Sequence, residues 1–245
     1  MKKNSFLILL LCAVTLLNGC VTTPSYNPFK ISREEIISKV KTIGVMPIQI
    51  MIEVESLEAK KKEFENEIIL QLEGKGYKVI TPDQYEAIYE PLRESMGAIY
   101  DPNTGKLLEE KTKALQEHAK REYLSHYDVD AILHSGVILV TASWFRNTAT
   151  WHGTTEATTG KEGFWADFTA PSAYGKVPAL SFAVSLENTN GEEYFTNFGG
   201  VQLVQRLSGG NFINVPQYQI LADSSKNLNA VAIAMSPLLN EPVSK

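Results

Sequence analysis

Two short apolar runs bracket a long amphipathic one near the amino end of the chain, and this alternation restricts the fold more than any other feature. In KTIGVMPIQI (41–50), Ile43, Val45 and Ile48 make a mostly apolar strand of the kind found mid-sheet. From about 55 to 74, Leu57, Phe64, Ile68, Ile69 and Leu72 recur on one helical face, and Lys60, Lys61 and Lys62 take the wet one. Gly74 and Gly76 stop that helix and YKVI supplies the next strand. Ser32 with Glu35 forms an S-x-x-E capping box that opens a short helix, REEIISKV, ahead of the first strand. Thr81-Pro82-Asp83-Gln84 is a second helix start, with an N-cap, a proline at the first helical position and Gln at the third. YDPNTGKL (100–107) reads as a turn, residues 108–126 as a helix carrying Leu115, Ala119 and Tyr123, and DVDAILHSGVILVTASWF runs into a long strand. From KTIG onward the order is β-α-β-α-α-β, which calls for a layered α/β sheet.

The second half changes character. TATWHGTTEATTG, ALSFAVSLE and EEYFTNFGGVQLVQRL read as strands, the last two joined through Asn190-Gly191, a hairpin signal. A final helix near 225–239 turns Leu228, Val231, Met235 and Leu238 inward. The fold expected is therefore α/β: a layered mixed β-sheet with flanking helices, a β-rich carboxyl-terminal half and a carboxyl-terminal helix.

The first twenty residues have a different use. Lys2 and Lys3 precede an apolar run, Phe6 to Leu17, which as a helix would span only about 18 Å, too short for a hydrocarbon core of about 30 Å. A basic start, a short apolar helix and small residues are the parts of a cleaved export signal. Leu17-Asn18-Gly19-Cys20 resembles the bacterial lipoprotein signal, which implies cleavage between Gly19 and Cys20 and acylation of the Cys20 thiol and amine. Two or more acyl chains hold a protein stably to a bilayer where one is marginal. Val21 rather than Asp follows the cysteine, which in lipoproteins of enterobacterial type points to the outer membrane, with the domain facing the periplasm. Residues 21–31, VTTPSYNPFKI, then read as a short tether, so that 1–19 is signal, 20–31 anchor and tether, and 32–245 one domain.

Loss of residues 1–19 removes two lysines and shifts the formal charge from −5 to −7. A mildly acidic chain without a basic stripe argues against nucleic acid and against a polybasic membrane patch. Of the two cysteines, Cys12 leaves with the signal and Cys20 is acylated, so no disulfide and no thiolate metal site is expected in the domain.

KTIGVMPI, LEGKGYKVI and YDVDAIL, in that order behind an acylated cysteine, make residues 20–140 resemble a broad group of periplasmic lipoproteins. These share the α/β fold of the TolB amino-terminal domain, itself similar to anticodon-binding domains. The group includes the curli-secretion lipoprotein and the lipoprotein activators of penicillin-binding proteins. The resemblance implies a non-catalytic adaptor, activator or assembly component, with no catalytic residue to carry over.

Read for chemistry, the residues agree. There is no G-x-S-x-G elbow and no phosphate loop, since Gly74-Lys75-Gly76 is too short and lies at a helix end. His118, His126 and His134 are eight residues apart and not at the three-or-four spacing of helical metal ligands, so no metal and no cofactor is expected. His134 and Ser135 are strand neighbours and point to opposite faces. Glu109-Glu110 suits a helix first turn, and Asp128 and Asp130 suit a helix-to-strand turn.

The stretch from Trp144 to Tyr174 carries all three tryptophans, and Gly153, Gly160, Gly163, Pro171 and Gly175 break it into a loop or loose hairpin insertion near 144–177. Trp144, Trp151, Phe164, Trp165 and Phe168 are the candidate partner-binding residues, because aromatic rings bury much area at small entropic cost. The alternative is that they cap the open face of the sheet. Three functions follow in order: a lipid-anchored adaptor binding an envelope protein or copies of itself; a module stacking Trp144, Trp151 and Trp165 on a small ligand or peptidoglycan; and, last, a hydrolase using His134 or His152.

Overall fold

The computed structural model describes residues 26–159, 173–208 and 210–240. The expected signal, Gly19 and Cys20 therefore lie outside the described residues, as do Phe164, Trp165 and Phe168. No helix among the described residues is long and apolar enough to cross a membrane.

The chain runs α1 (Arg33–Lys39), β1 (Thr42–Val45), β2 (Gln49–Ile50), α2 (Leu57–Glu73), β3 (Lys78–Ile80), α3 (Pro82–Met96) and α4 (Glu109–His126). β4 (Ala131–Phe145), β5 (Thr148–Trp151), β6 (Thr154–Ala157), β7 (Tyr174–Asn188), β8 (Glu193–Leu203), β9 (Gln205–Ser208), β10 (Asn211–Asn214) and α5 (Ser224–Leu239) follow. It is an α/β fold, as expected. Thr81 starts α3 with both halves of its capping box in place. At Ser32 only one half forms: its hydroxyl accepts from the Glu35 amide at 3.1 Å, while the Glu35 carboxylate pairs with Lys39. The turn at 100–107 closes on Asp101, whose carboxylate accepts the amides of Asn103 and Thr104 at 2.8 Å.

β3, β1 and β4 are parallel neighbours, and β2 rejoins β4 in parallel at Gly136 and Val137. Strands β4 to β8 of the β-rich half continue the same sheet, while β9 and β10 pair antiparallel as a separate two-stranded ribbon. β7 pairs antiparallel with β4 over its full 15 residues, and β8 pairs with β7. α2 and α5 cover one face, with Phe64 stacked on Phe182 at 5.6 Å and Leu133, Val137, Leu180, Val231 and Met235 buried around them. α3 and α4 cover the start of the other face over Tyr123, Ile132, Met46 and Ile80. Beyond them the β5–β6 hairpin folds back over the same face until β6 reaches β8, enclosing Ala142, Ala149, Trp151, Val177, Ala179 and Leu203.

Gly199 and Gly200, mid-strand in β8, permit this arrangement. A Cβ on Gly199 would lie 2.0 Å from the Ala230 carbonyl of α5, and one on Gly200 would lie 2.6 Å from the Thr154 Cβ of the hairpin. Neither contact could have been foreseen from the pair of glycines alone.

Of the three lysines expected on the wet face of α2, Lys62 is half exposed and Lys61 partly so, while Lys60 is largely covered beside Glu63, and the same helix buries a carboxylate. Glu65 is 4% exposed, accepts the Ile48 amide at 3.1 Å and meets Lys62 at 3.5 Å. Burial pushes its carboxyl above the usual Glu range, against the opposing pull of the Ile48 amide and Lys62.

Gly199→Ala is expected to cost at least about 3 kcal/mol in urea unfolding, and Gly200→Ala less, because a helix carbonyl yields less readily than a threonine side chain. A raised carboxyl pKa contributes stability that is complete below the ordinary Glu value and lost as pH rises through the raised one. Glu65→Gln, which keeps an acceptor for Ile48, should therefore gain on the native protein most at pH 7 and above, with the advantage in urea midpoint shrinking towards pH 4.5. Glu65→Ala should instead lose roughly 2 kcal/mol, because it strands the Ile48 amide.

Candidate functional site

The aromatic stretch does not form one loop. Its ends are regular: Phe145 faces Tyr174 and Trp144 faces Gly175 at the far end of the β4–β7 ribbon. Phe145 and Tyr174 are 55% and 84% exposed, side by side, with the Arg146 guanidinium 5.3 Å from the Phe145 ring centroid. Trp144 points to the other face, half-buried, edge-on to Phe212 of β10 at 5.6 Å. Gly175 opposite it leaves room for the indole, since a Cβ there would lie 2.8 Å from the Trp144 Nε1.

Trp151 has to be withdrawn from the candidate contact residues. It is 6% exposed, donates its Nε1–H to the Leu180 carbonyl at 3.1 Å and fills the space under the hairpin. An indole with its donor satisfied internally and its ring enclosed presents nothing to a partner. The expected loose insertion is likewise corrected at both ends: 148–157 is a tight hairpin, and 174–177 belongs to β7. His152 (φ 39°) and Gly153 (φ 75°) make its two-residue turn, the positive-φ geometry that such hairpins require.

That turn carries contacts the sequence did not signal. The His152 ring stacks on Phe198 at 4.9 Å, its Nδ1 lies 2.8 Å from the Ser181 Oγ, and Gly153 abuts Ile233 of α5. An open, mainly apolar hollow of about 480 Å³ lies beside it, bounded by Tyr26, His152, Phe198 and Ile233. Burial lowers the pKa of His152. Ser181 is fully buried, so its hydroxyl serves the join between hairpin and β7 and is out of reach of a solute.

The remaining histidines do not come together. His118 and His126 flank Glu122 on α4 at 3.7 and 4.0 Å, and His134 lies 3.4 Å from Glu187. His134 is exposed while Ser135 is buried, in keeping with opposite faces. Asp130 accepts the amides of Lys41 and Thr42 at 2.7 and 2.8 Å, tying the start of β1 to β4. Among the described residues no group of three His, Cys, Asp or Glu is placed to hold a metal ion.

The expected tether is shorter than 20–31. Phe29 bridges Phe195 antiparallel, Lys30 donates to the Tyr194 carbonyl at 3.0 Å, Thr196 donates to Pro28 at 2.9 Å, and the Tyr26 hydroxyl donates to Thr196 at 2.6 Å. Residues 26–30 thus add a strand-like segment to the outer edge of β8. Followed back from Lys30 to Tyr26, this segment runs from Tyr194 past Thr196, in the direction in which β8 approaches Leu203 and β7 approaches the ribbon end.

No family model matches the chain, and no curated protein does. Among solved structures it is similar to a PelC dodecamer from Paraburkholderia phytofirmans, at 12% identity and a TM-score of 0.34, over 88% of this chain and 96% of that one. A likeness of that order carries neither a fold nor a function across.

A histidine whose pKa is lowered in the folded state adds no penalty above its ordinary value of 6.5, and it destabilises the fold as pH falls below that value. His152→Asn keeps a side chain tolerant of positive φ but cannot titrate. Its thermal midpoint is expected to fall less than that of the native protein between pH 7 and pH 5.

Proposed function

We propose that this chain is a lipid-anchored, non-catalytic envelope protein that acts as an adaptor, activator or assembly component through protein contacts at the far end of the β4–β7 ribbon. The observation that carries this reading is the exposed Phe145–Tyr174 pair. Two rings held on paired strands have little conformational freedom left to lose, so covering them costs less than covering flexible side chains. Phe164, Trp165 and Phe168 fall in sequence between Ala157, which pairs with Thr148, and Tyr174, which pairs with Phe145.

The course of residues 26–30 supports a partner at the membrane. Cys20 and Tyr26 are six residues apart, a reach of about 20 Å when extended. Ala183, the β7 partner of Phe198, is nine residues from Tyr174, about 30 Å of strand. An acylated Cys20 would hold Tyr26 within about 20 Å of the bilayer, which leaves the ribbon end within about 50 Å of it. Confinement to that layer raises the effective concentration of the rings for a membrane-bound protein.

The glycan reading loses support from the burial of Trp151 and the half-burial of Trp144, two of its three stacking rings. The hydrolase reading loses support from the burial of Ser181, the hydroxyl in contact with His152.

A photoreactive residue in place of the exposed Tyr174, in the acylated protein in cells, tests the proposal. The expected result is a discrete adduct with another envelope protein, or a ladder of self-adducts if the assembly is built of copies of this chain. Phe145→Ser in the same background should abolish the adduct with little change in thermal midpoint. Labelling of lipid alone would overturn the adaptor reading.

A further inference from the structure

The three parallel strands lie in the order β3-β1-β4, but the chain visits them as β1, β3, β4. It leaves β1 through α2 on one face and returns from β3 through α3 and α4 on the other. The connections therefore diverge between β1 and β4. In open α/β sheets the crevice beyond the carboxyl ends of the strands at such a divergence is where ligands bind. Here the pairing of β1 with β4 ends where the Met46 amide donates to the Leu133 carbonyl at 2.9 Å, and it resumes only where Gln49 meets Gly136. Between those points the chain at Pro47 steps away, and a cleft of about 470 Å³ opens against α3 and α4, within the size range of small-molecule sites.

The walls of the cleft specify a charge. Tyr85 and Tyr89, one turn apart on α3, stack with ring centroids 5.9 Å apart. Glu86 beside them is exposed and makes no hydrogen bond or ion pair among the described residues. The other charges are already matched. Glu90 holds Arg93, and Lys120 on the facing helix lies 2.8 Å from Glu187, which also takes His134 at 3.4 Å. The uncompensated charge of the cleft is the Glu86 carboxylate, set beside two electron-rich rings. A carboxylate next to aromatic faces favours a cation with an apolar stem, and the amides of Gln49 and Gln116 can orient it.

We propose that this cleft binds a small organic cation, an ammonium or guanidinium group on an apolar stem, with Glu86 as counter-charge and Tyr85 and Tyr89 as the wall against which the stem lies. Its position at the end of β1 separates it from the ribbon end, so the two contacts are independent.

The test uses the full chain and three probes of equal length and different charge: 1,5-diaminopentane, 1,5-pentanediol and pentanedioate. Backbone amide shifts followed by NMR titration should saturate with the diamine, centred on Gln49, Tyr85, Glu86 and Gln116, and remain unchanged with the diol and the dianion. Glu86→Gln, a change at an unbonded surface side chain, should weaken the diamine by about tenfold with an unaltered amide spectrum elsewhere. Tyr89→Leu should weaken it several-fold, and agmatine should compete for the same shifts. Absence of saturation, saturation indifferent to Glu86→Gln, or preference for the dianion through Lys120 and His134 would each overturn the assignment.

Discussion

Two glycines in the middle of β8 allow the layers of this protein to meet. Adjacent residues in a strand face opposite sides of a sheet, so Gly199 and Gly200 together clear both faces at one height. On one side the Ala230 carbonyl of α5 comes down to the strand backbone, which brings Val231, Met235 and Leu238 into the core. On the other, the hairpin descends until Trp151 reaches the Leu180 carbonyl and the Thr154 hydroxyl reaches that of Gly200. A side chain at either position would lift one layer and open the space beneath it.

The same convergence explains a buried anion. Glu156 on β6 is 7% exposed, accepts the Leu203 amide at 2.8 Å, and meets Lys226 of α5 at 2.9 Å and Arg206 at 3.4 Å. One carboxylate thus joins the hairpin, the end of β8 and the first turn of the last helix. Buried ions of this kind are held in place by full pairing and add little net stability, but removing one partner leaves the others uncompensated. Glu65 has a similar position on the opposite face, with the Ile48 amide as its main partner.

What could be read from the chain was what depends on neighbours in sequence. The β-α-β order, the caps at Ser32 and Thr81, the Asp101 turn and the Asn190-Gly191 hairpin are all encoded within a few residues. The closure of the hairpin over β8 was not legible, because it brings residue 152 against 181, 198 and 200 and depends on twist and on the absence of two side chains. For the same reason Trp151 looked like a contact residue. Composition distinguishes an aromatic segment from its surroundings but not an enclosed ring from an exposed one. The acidic residues had the converse problem: Glu65 and Glu156 look like any surface carboxylates until their distant partners are known. Of the candidate contact residues, Trp144 proved half-buried, and the exposed pair proved to be Phe145 and Tyr174, which the pattern of the chain had treated only as the edges of the aromatic stretch.

The amino-terminal segment has a further consequence, for the order of events. The Tyr26 hydroxyl bonds a residue 170 positions later in the chain, and Pro28 and Lys30 find their partners on the same late strand. A chain made from its amino end cannot complete that join until β8 has emerged. Until then residues 26–30 have no strand edge to join. Residues 26–30, the first of the described chain to be made, are therefore among the last parts of the sheet to be laid down.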